Sequence, residues 1–187
     1  MDTEFCIRPI QEKDFDAFRA LFCNSECLCN IGRATQQDDL VRFGEAYIQD
    51  AMQHGDLRSF QELCAVFRTP PDLSELWVMA AVGQGEEQII GAIGLEFKDA
   101  EVAELRRMCV SHEFRRHGLG RRLVLHCLAF ARQRGYRRVF LTTPVVNTGA
   151  IAMYTKAGFA RDDGDLEYSR PEIGIAGLKI ARLTCEL

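Results

Sequence analysis

Two glycines, Gly118 and Gly120, stand where an apolar stretch ending at Val110 gives way to a helical pattern. Glycine lets the backbone approach a ligand closely, and the first amides of a helix have no partners within the helix. Those amides, together with the positive end of the helix dipole, bind anions. The pattern predicts a site for a phosphate-bearing ligand, and a purely structural helix start is the alternative.

Two well-known phosphate-binding turns do not fit this one. A dinucleotide-binding turn needs an acidic residue about twenty positions further on for the ribose. That region holds Arg137, Arg138 and Val139 instead. A P-loop needs Gly-Lys followed by Ser or Thr, and the sequence contains no such tripeptide.

The glycine turn lies in a basic stretch of an acidic chain, whose formal net charge is −4. The basic residues of this stretch are Arg106, Arg107, Arg115, Arg116, His117, Arg121 and Arg122. A local basic cluster in an acidic protein favours a discrete phosphate ligand over a long polyanion, so we expect no nucleic-acid partner. If charge were the only evidence, a basic helix face exposed to solvent would be the alternative to a phosphate site.

The bulk composition predicts a soluble globular protein. The 187 residues contain no apolar run near the ~20 residues needed to cross a bilayer, and the first residues lack the pattern of a secretory signal. We expect a cytoplasmic location, no membrane partner and reduced thiols for the eight cysteines. Cys23, Cys27 and Cys29 cluster, but their spacing matches no common zinc pattern, so we expect no metal.

The order of apolar patterns predicts an α/β (α+β) fold with a mixed, mostly antiparallel central sheet and helices on both faces. Alternation predicts strands at 5–10, 76–82, 89–97, 102–110, 139–142, 159–161 (or on to 168) and 178–183. Helical spacing predicts helices at 14–22, from 35 to about 55, at 60–67, 118–134 and 147–157, with a loop at 23–32. The strands that flank the helix at 118–134 should be parallel, because a helical crossover joins them.

The strand predicted at 102–110 has an irregular apolar pattern. Its apolar positions fall at Leu105, Met108 and Val110, a spacing of three and then two. Strict alternation would give a spacing of two residues at both steps, so the pattern predicts a β-bulge near Arg106 and Arg107. A bulge leaves backbone groups unpaired and separates a strand from its neighbour, and a plain distorted strand is the alternative.

These motifs together resemble the GNAT acetyltransferase family. Arg115-x-x-Gly118-x-Gly120 is similar to the Arg/Gln-x-x-Gly-x-Gly/Ala signature that holds the pyrophosphate of coenzyme A. The resemblance also includes two flanking motifs, Leu105-x-x-Met108-x-Val110 and Asn147-x-x-Ala150-x-x-x-Tyr154-x-x-x-Gly158-Phe159. It covers residues 76–159 well and the N-terminus loosely. It implies the GNAT-like acyl-CoA N-acyltransferase fold as one domain over 1–187, with a longer helical segment at about 23–75 on the acceptor side.

The resemblance also implies a coenzyme A site with particular roles. Its residues are Met108, Cys109, Val110, Arg115, Arg116, His117, Gly118, Leu119, Gly120, Arg121, Asn147 and Tyr154. Met108 and Val110 are implied to pair with the pantetheine arm, and the Val110 amide to stabilise the oxyanion. Tyr154 is implied to protonate the departing thiolate, although an aromatic residue there can also simply pack in the core. Asn147 can cap a helix or hydrogen-bond the coenzyme.

The acceptor amine must lose a proton before it attacks. An amine with a pKa near 10.4 is neutral to only about one part in 10³ or slightly less at pH 7, which costs roughly 4–5 kcal/mol. Glu104, on the strand leading to Val110, is the first candidate base, and Glu96 on the preceding strand is the second. An ordinary solvated glutamate is the alternative for each. His112 and His117 lie with the phosphate turn and are weaker candidates.

We therefore expect an N-acetyltransferase that moves the acetyl group of acetyl-CoA directly to a primary amine. Nothing beside Cys109 suggests the His–Asp pair that would activate it as a nucleophile. A non-catalytic acyl-CoA-binding or sensor domain is the alternative, and the presence of Tyr154 and both glutamates disfavours it. Clustered carboxylates predict a cationic acceptor, such as a polyamine or a basic peptide. The resemblance implies that Asp162, Asp163, Asp165 and Glu167 border the acceptor groove. Glu45 and Asp50, on the second predicted helix, are able to face the same groove.

Overall fold

The structure, a computed structural model, describes residues 4–25, 27–83 and 86–187. These residues form the strands β1 (Glu4–Pro9), β2 (Glu75–Gly83), β3 (Glu86–Phe97), β4 (Val102–Val110), β5 (Arg138–Pro144), β6 (Ala160–Arg161), β7 (Leu166–Arg170) and β8 (Ile175–Glu186). They also form the helices α1 (Phe15–Asn24), α2 (Cys27–Thr35), α3 (Asp38–Gln53), α4 (Phe60–Phe67), α5 (Leu119–Gln133) and α6 (Thr148–Lys156). None of the described helices is long and apolar enough to cross a bilayer.

The strands form one mixed sheet. Their order is β1-β2-β3-β4-β5-β8-β6, and β7 pairs with β8. In the described part of the chain, β4 and β5 are the one parallel pair, and α5 is the crossover that joins them. The predicted mixed, mostly antiparallel sheet is confirmed, and so is the parallel pair.

Side chains of the central strands point alternately to the two faces, and helices cover both. Met79 of β2 packs with Leu123 of α5 in one core. Its neighbour Val78 packs with Phe18 of α1 and Phe67 of α4 in the other. All five side chains are fully buried. The prediction of helices on both faces is confirmed.

The segment after α1, predicted as a loop, is partly helical. α2 ends at Thr35, the residue predicted to begin the next helix, and α3 begins instead at Asp38. Leu28 of α2 is buried in a third core together with Leu178 of β8. The prediction was wrong because burial against β8 overrides the preference of asparagine and cysteine for loops.

Gly32 of α2 allows α2 and α3 to approach closely. A Cβ at this position would lie 2.7 Å from Val41 Cγ2 and 2.8 Å from the Gln37 carbonyl oxygen. Cores are packed too tightly to absorb such an overlap without a shift of the helices. Glycine at this position therefore sets the spacing of the two helices.

The clustered cysteines have ordinary neighbours. Cys23 Sγ lies 3.8 Å from Met52 Sδ, and the buried Cys29 Sγ lies 3.7 Å from the Val41 carbonyl oxygen. The side chain of Cys27 lies outside the described residues. Within the described residues, no group of three His, Cys, Asp or Glu side chains is placed to hold a metal ion.

β4 and β5 separate after three paired positions. Val102–Glu104 pairs with Arg138–Phe140, and the ladder between these two described strands ends there. The register of β3 against β4 shifts between Ala92 and Gly94, opposite Arg107, whose φ is +54°. This is the predicted β-bulge. An extra residue bends a strand locally, so β4 turns away from β5 and a fork opens between them.

Candidate active site

A cavity of about 950 Å³ passes through the fork between β4 and β5. We call the part lined by the glycine turn and α6 the turn half, and the part lined by α1–α3, β7 and β8 the helical half. The described lining includes most of the residues predicted for the coenzyme: Met108, Cys109, Val110, Arg115, Arg116, Gly118, Leu119, Gly120, Arg121, Asn147 and Tyr154. His117 lies beside this lining rather than in it.

The glycine turn presents backbone amides to the turn half. Gly118 is the N-cap of α5 and has φ +75°, a left-handed conformation that glycine adopts without strain. The Arg122 amide donates to the Gly118 carbonyl oxygen at 3.0 Å and so makes the first hydrogen bond of the helix. The amides of Leu119, Gly120 and Arg121 precede it and have no helical acceptor. With the helix dipole they form an anion site.

Three arginines of the basic stretch line the turn half: Arg115, Arg116 and Arg121. Arg115 Nε donates to the Val110 carbonyl oxygen at 3.0 Å, which fixes the side chain along the turn. His117 Nδ1 lies 2.8 Å from the Arg115 carbonyl oxygen, to which it donates as the N–H tautomer. His117 therefore braces the turn.

The basic stretch predicted as one cluster is divided in the structure. Arg122 Nη2 donates to the Phe5 carbonyl oxygen at 3.0 Å, away from the cavity. Arg106 and Arg107, at the bulge, line the helical half and pair with carboxylates there. The predicted cluster is therefore confirmed only in part: Arg106 and Arg107 are neutralised by Glu96 and Asp56, and Arg122 lies outside the described lining.

The backbone of Val110 faces the fork. The amide of the next residue, Ser111, donates to the Ile90 carbonyl oxygen on β3 at 2.8 Å. Amides of successive strand residues point to opposite sides, so the Val110 amide points toward β5. β5 offers it no ladder partner, because the pairing of β4 with β5 ends at Glu104. An amide in this position can stabilise a developing oxyanion.

Two residues of the α6 region face the cavity beyond the fork. Tyr154 is 6% exposed, and its ring centroid lies 5.7 Å from that of Phe159 in an edge-to-face contact. Asn147 is the N-cap of α6, yet its side chain does not cap the helix, and Nδ2 lies 3.4 Å from Thr143 Oγ1. The geometry places both residues at the cavity, and their roles stay predictions.

The Cys109 thiol is poorly suited to act as a nucleophile. It packs in the core opposite the one that holds Val110, and burial raises the pKa of the thiol to about 12. The thiolate, which is the nucleophilic form, is therefore scarce at neutral pH. The site favours direct transfer over a route through this cysteine.

Comparison with known proteins identifies the family. The model described as "Acetyltransferase (GNAT) family" matches residues 40–159, a span that contains the fork, the glycine turn and α6. The chain belongs to the GNAT acetyltransferase family. The expectation drawn from the glycine turn and its flanking motifs is confirmed.

Relatives and solved structures of GNAT type are similar to the chain. It is 35% identical to N-acetyltransferase 8 of Homo sapiens over 94 residues, which are 48% of this chain and 41% of that protein. It is 32% identical to the probable N-acetyltransferase 14 of Xenopus tropicalis over 98 residues, 48% of each protein. The chain thus spans about half the length of these relatives, or less. The PaiA N-acetyltransferase of Thermoplasma acidophilum, solved with coenzyme A, shares the fold, with a TM-score of 0.71 and 16% identity over 98% of this chain and 99% of that one.

In this GNAT chain, neither candidate base lines the cavity. Glu104 Oε2 lies 2.9 Å from Lys98 Nζ, and Glu96 pairs with the same lysine and with Arg106. Burial alone would raise the pKa of Glu96, but Arg106 and Lys98 hold that pKa below its usual value. Glu104 is not among the described lining residues, so a role as base requires water between it and the amine.

A buried ion pair supports the helical half, and no sequence pattern revealed it. Arg107 Nε donates to Asp56 Oδ2 at 2.9 Å, and Arg107 Nη1 donates to the Tyr47 hydroxyl at 2.8 Å. Burial alone would lower the pKa of Arg107, but Tyr47 and Asp56 raise it, so the guanidinium stays charged. Asp56 and Tyr47 stand 51 and 60 residues from Arg107, too far for any local pattern to show the contact.

The carboxylates expected to attract a cationic acceptor do not line the described cavity. Most are paired: Asp162 with Arg182, Asp165 with Arg161, Glu167 with Lys179, Asp50 with Arg170 and Glu45 with Arg33. Asp163 is exposed. A neutral pair produces little field beyond its neighbourhood, so the ground for expecting a cationic acceptor is lost.

Proposed function

We propose that this chain is an N-acetyltransferase that moves the acetyl group of acetyl-CoA directly to an amine. The observation that carries the proposal is one continuous cavity with different chemistry at its two ends. It leads from the amides of the glycine turn, past the Val110 amide, to the helical half. A coenzyme and an acceptor can enter from opposite ends and meet at the fork in a geometry suited to reaction.

The turn half fits the phosphates and the pantetheine arm of coenzyme A. The amides of 119–121 and the arginines around them offer charge-assisted hydrogen bonds to a pyrophosphate. The open edge of β4 at Met108 and Val110 offers backbone donors and acceptors to the amides of the arm, which would add to the sheet like a short strand. Asn147, whose Nδ2 contacts Thr143 Oγ1 at the long distance of 3.4 Å, can turn toward the same ligand.

The transfer begins when the amine nitrogen attacks the carbonyl carbon of the thioester. A C–N bond forms, and the Val110 amide stabilises the negative charge that develops on the carbonyl oxygen. The C–S bond then breaks, and the Tyr154 hydroxyl donates a proton to the departing thiolate. The proton that the amine loses passes through water to Glu104, the candidate base.

We also propose that residues 1–187 act as one domain, whose helical segment at about 23–75 forms the acceptor wall. Leu28 and Ile31 of α2 and Tyr47 of α3 line the helical half. α2 and α3 also share a core with β8, which ties this segment to the sheet.

Titration calorimetry with acetyl-CoA tests the proposal. We expect wild-type protein to bind acetyl-CoA and to show no comparable binding of NAD or ATP. Gly120→Glu places a carboxylate among the anion-binding amides and should weaken binding at least about tenfold, because like charges repel at the site. The fold should tolerate the change, since the contact nearest to a new Cβ is the flexible end of Met108, at 3.0 Å.

Gly83→Glu is the matched control. A Cβ at Gly83 meets nothing within 4 Å, and this position lies outside the cavity lining. The control should bind acetyl-CoA like the wild type. Unchanged affinity in Gly120→Glu would refute the assignment of the turn half to the coenzyme.

A further inference from the structure

The helical half of the cavity has apolar walls on two sides. Leu28 and Ile31 come from α2, Tyr168 comes from β7, and Ile175 and Leu178 come from β8. The same side chains pack in the core that joins α2 and α3 to β8. Such a wall receives an apolar group of a ligand, because contact with it removes apolar surface from water.

Two groups that face this half, Tyr47 and Arg106, can donate hydrogen bonds to a ligand. The Tyr47 hydroxyl accepts a hydrogen bond from Arg107, so its own proton is left for a group in the cavity. Arg106 is 31% exposed and holds Glu96 through Nη1, and its other N–H groups have no partner among the described residues. Donors of this kind match the oxygens of a carboxylate.

The carboxylates near this wall do not face the cavity. Asp56, Glu96 and Glu104 are each paired with a cation and lie outside the described lining, which contains no Asp or Glu. Glu26 lies outside the described residues. A second positive charge on the acceptor would therefore find no carboxylate to pair with among the described lining residues.

We propose that the acceptor is an amine that carries an apolar group and a carboxylate, such as an apolar amino acid, and no second positive charge. The apolar group lies against α2 and β8, and the carboxylate accepts a hydrogen bond from Arg106, with Tyr47 as a second donor. The apolar walls also disfavour the ammonium form by desolvation, which increases the share of neutral, reactive amine. This inference rests on the proposed function, because it names the acceptor of the same site.

A panel of four amines tests the inference. Phenylalanine carries an apolar ring and a carboxylate. Phenylalanine amide keeps the ring but has a carboxamide in place of the carboxylate, and phenethylamine has the ring and neither group. Spermidine is a polycation without an apolar ring. The measured quantity is kcat/KM from release of the coenzyme A thiol, with the acetylated product identified by mass spectrometry. We expect phenylalanine to exceed its amide by about tenfold or more and spermidine to be the poorest acceptor, because a site built for a carboxylate rejects analogues that lack it.

Two variants test the residues behind this preference. Arg106→Gln and Tyr47→Phe should each lower the ratio of kcat/KM for phenylalanine to that for its amide by several-fold up to about tenfold, because kcat/KM falls more for phenylalanine than for the amide. Arg42→Gln removes an arginine that is 74% exposed on α3, and this control should leave the ratio unchanged.

Two outcomes would overturn the inference: preference for spermidine, or a ratio of phenylalanine to its amide that neither Arg106→Gln nor Tyr47→Phe changes. Calorimetry with acetyl-CoA distinguishes a wrong acceptor class from failure of the proposed function. If acetyl-CoA binds and only spermidine or phenethylamine is acetylated, the acceptor class is wrong and the proposed function stands. If no amine is acetylated and acetyl-CoA does not bind, both are wrong.

Discussion

Removal of the Asp56 carboxylate should destabilise the protein by about 3–5 kcal/mol. Asp56 and Arg107 are each 4% exposed and form two hydrogen bonds, one of them 2.9 Å from Nε to Oδ2. In Asp56→Ala the guanidinium stays buried and loses its counter-charge, and the loss of one partner from a buried pair costs this much. The Phe22 ring, 4.8 Å from the guanidinium, and the Tyr47 hydroxyl remain in place, so we expect the lower end of the range.

Thermal unfolding followed by circular dichroism measures this loss. An unfolding entropy of ~2.1 cal/mol/K per residue gives ~0.4 kcal/mol/K for 187 residues, so Tm should fall by about 8–13 °C. Glu45→Ala is the control, because Glu45 and Arg33 are 59% and 63% exposed. Loss of such a surface pair costs at most about 1 kcal/mol, or ~3 °C. If Tm falls no further in Asp56→Ala than in this control, the reasoning is refuted.

A double variant identifies the cause of the loss. Asp56→Leu/Arg107→Met replaces both charges with apolar groups of similar size, which commonly restores stability to a buried site. Tyr47 then loses its hydrogen-bond donor, so KM for the acceptor should rise while affinity for acetyl-CoA stays near wild type. If the double variant is as unstable as Asp56→Ala, an orphaned charge is not the cause.

Three further predictions concern the chemistry and the response to pH. Tyr154→Phe should lower kcat by about tenfold or more and leave acetyl-CoA affinity unchanged, because it removes the proton donor and keeps the packing; full turnover would return Tyr154 to a core role. Glu104→Gln should slow acetylation most at neutral pH and recover as pH approaches the amine pKa, whereas an equal loss at every pH would contradict a base role. Burial alone would raise the pKa of Asp14, but hydrogen bonds from Arg8 and the Gln11 amide hold it below its usual value. The stability lost in Asp14→Asn should therefore be largest above the unfolded pKa of about 4 and should shrink as pH falls through the folded pKa, and a difference independent of pH would contradict this linkage.

The elements from β2 to α6 could be predicted from the sequence because their signals are local. Leu119, Leu123 and Cys127 recur at helical spacing, and Gly118 is the N-cap residue that precedes α5. The irregular apolar spacing of β4 predicted the bulge. An extra residue on one strand shifts the alternation of all later side chains between the two faces by one position. The fork and the glycine turn, which position the site, followed from these patterns.

The helical half could not be predicted, because contacts between distant segments decide it. α2 is helical where Leu28 is buried against Leu178, and no pattern near Leu28 carries that information. The pairing of Arg107 with Asp56 likewise depends on how α3 and the turn after it dock on the bulge. The sequence shows which residues are charged, but it does not show which residue pairs with which in the folded protein.

Direct acetyl transfer in this cavity is the central claim, and one assay tests it. Wild-type protein, Gly83→Glu and Gly120→Glu are incubated with acetyl-CoA and the amine panel, and N-acetylated product is quantified by mass spectrometry. The account predicts product from the wild type and from Gly83→Glu, and at least about tenfold less from Gly120→Glu at acetyl-CoA concentrations below the wild-type Kd. Binding of acetyl-CoA without acetylation of any amine, or equal product from Gly120→Glu, would contradict it.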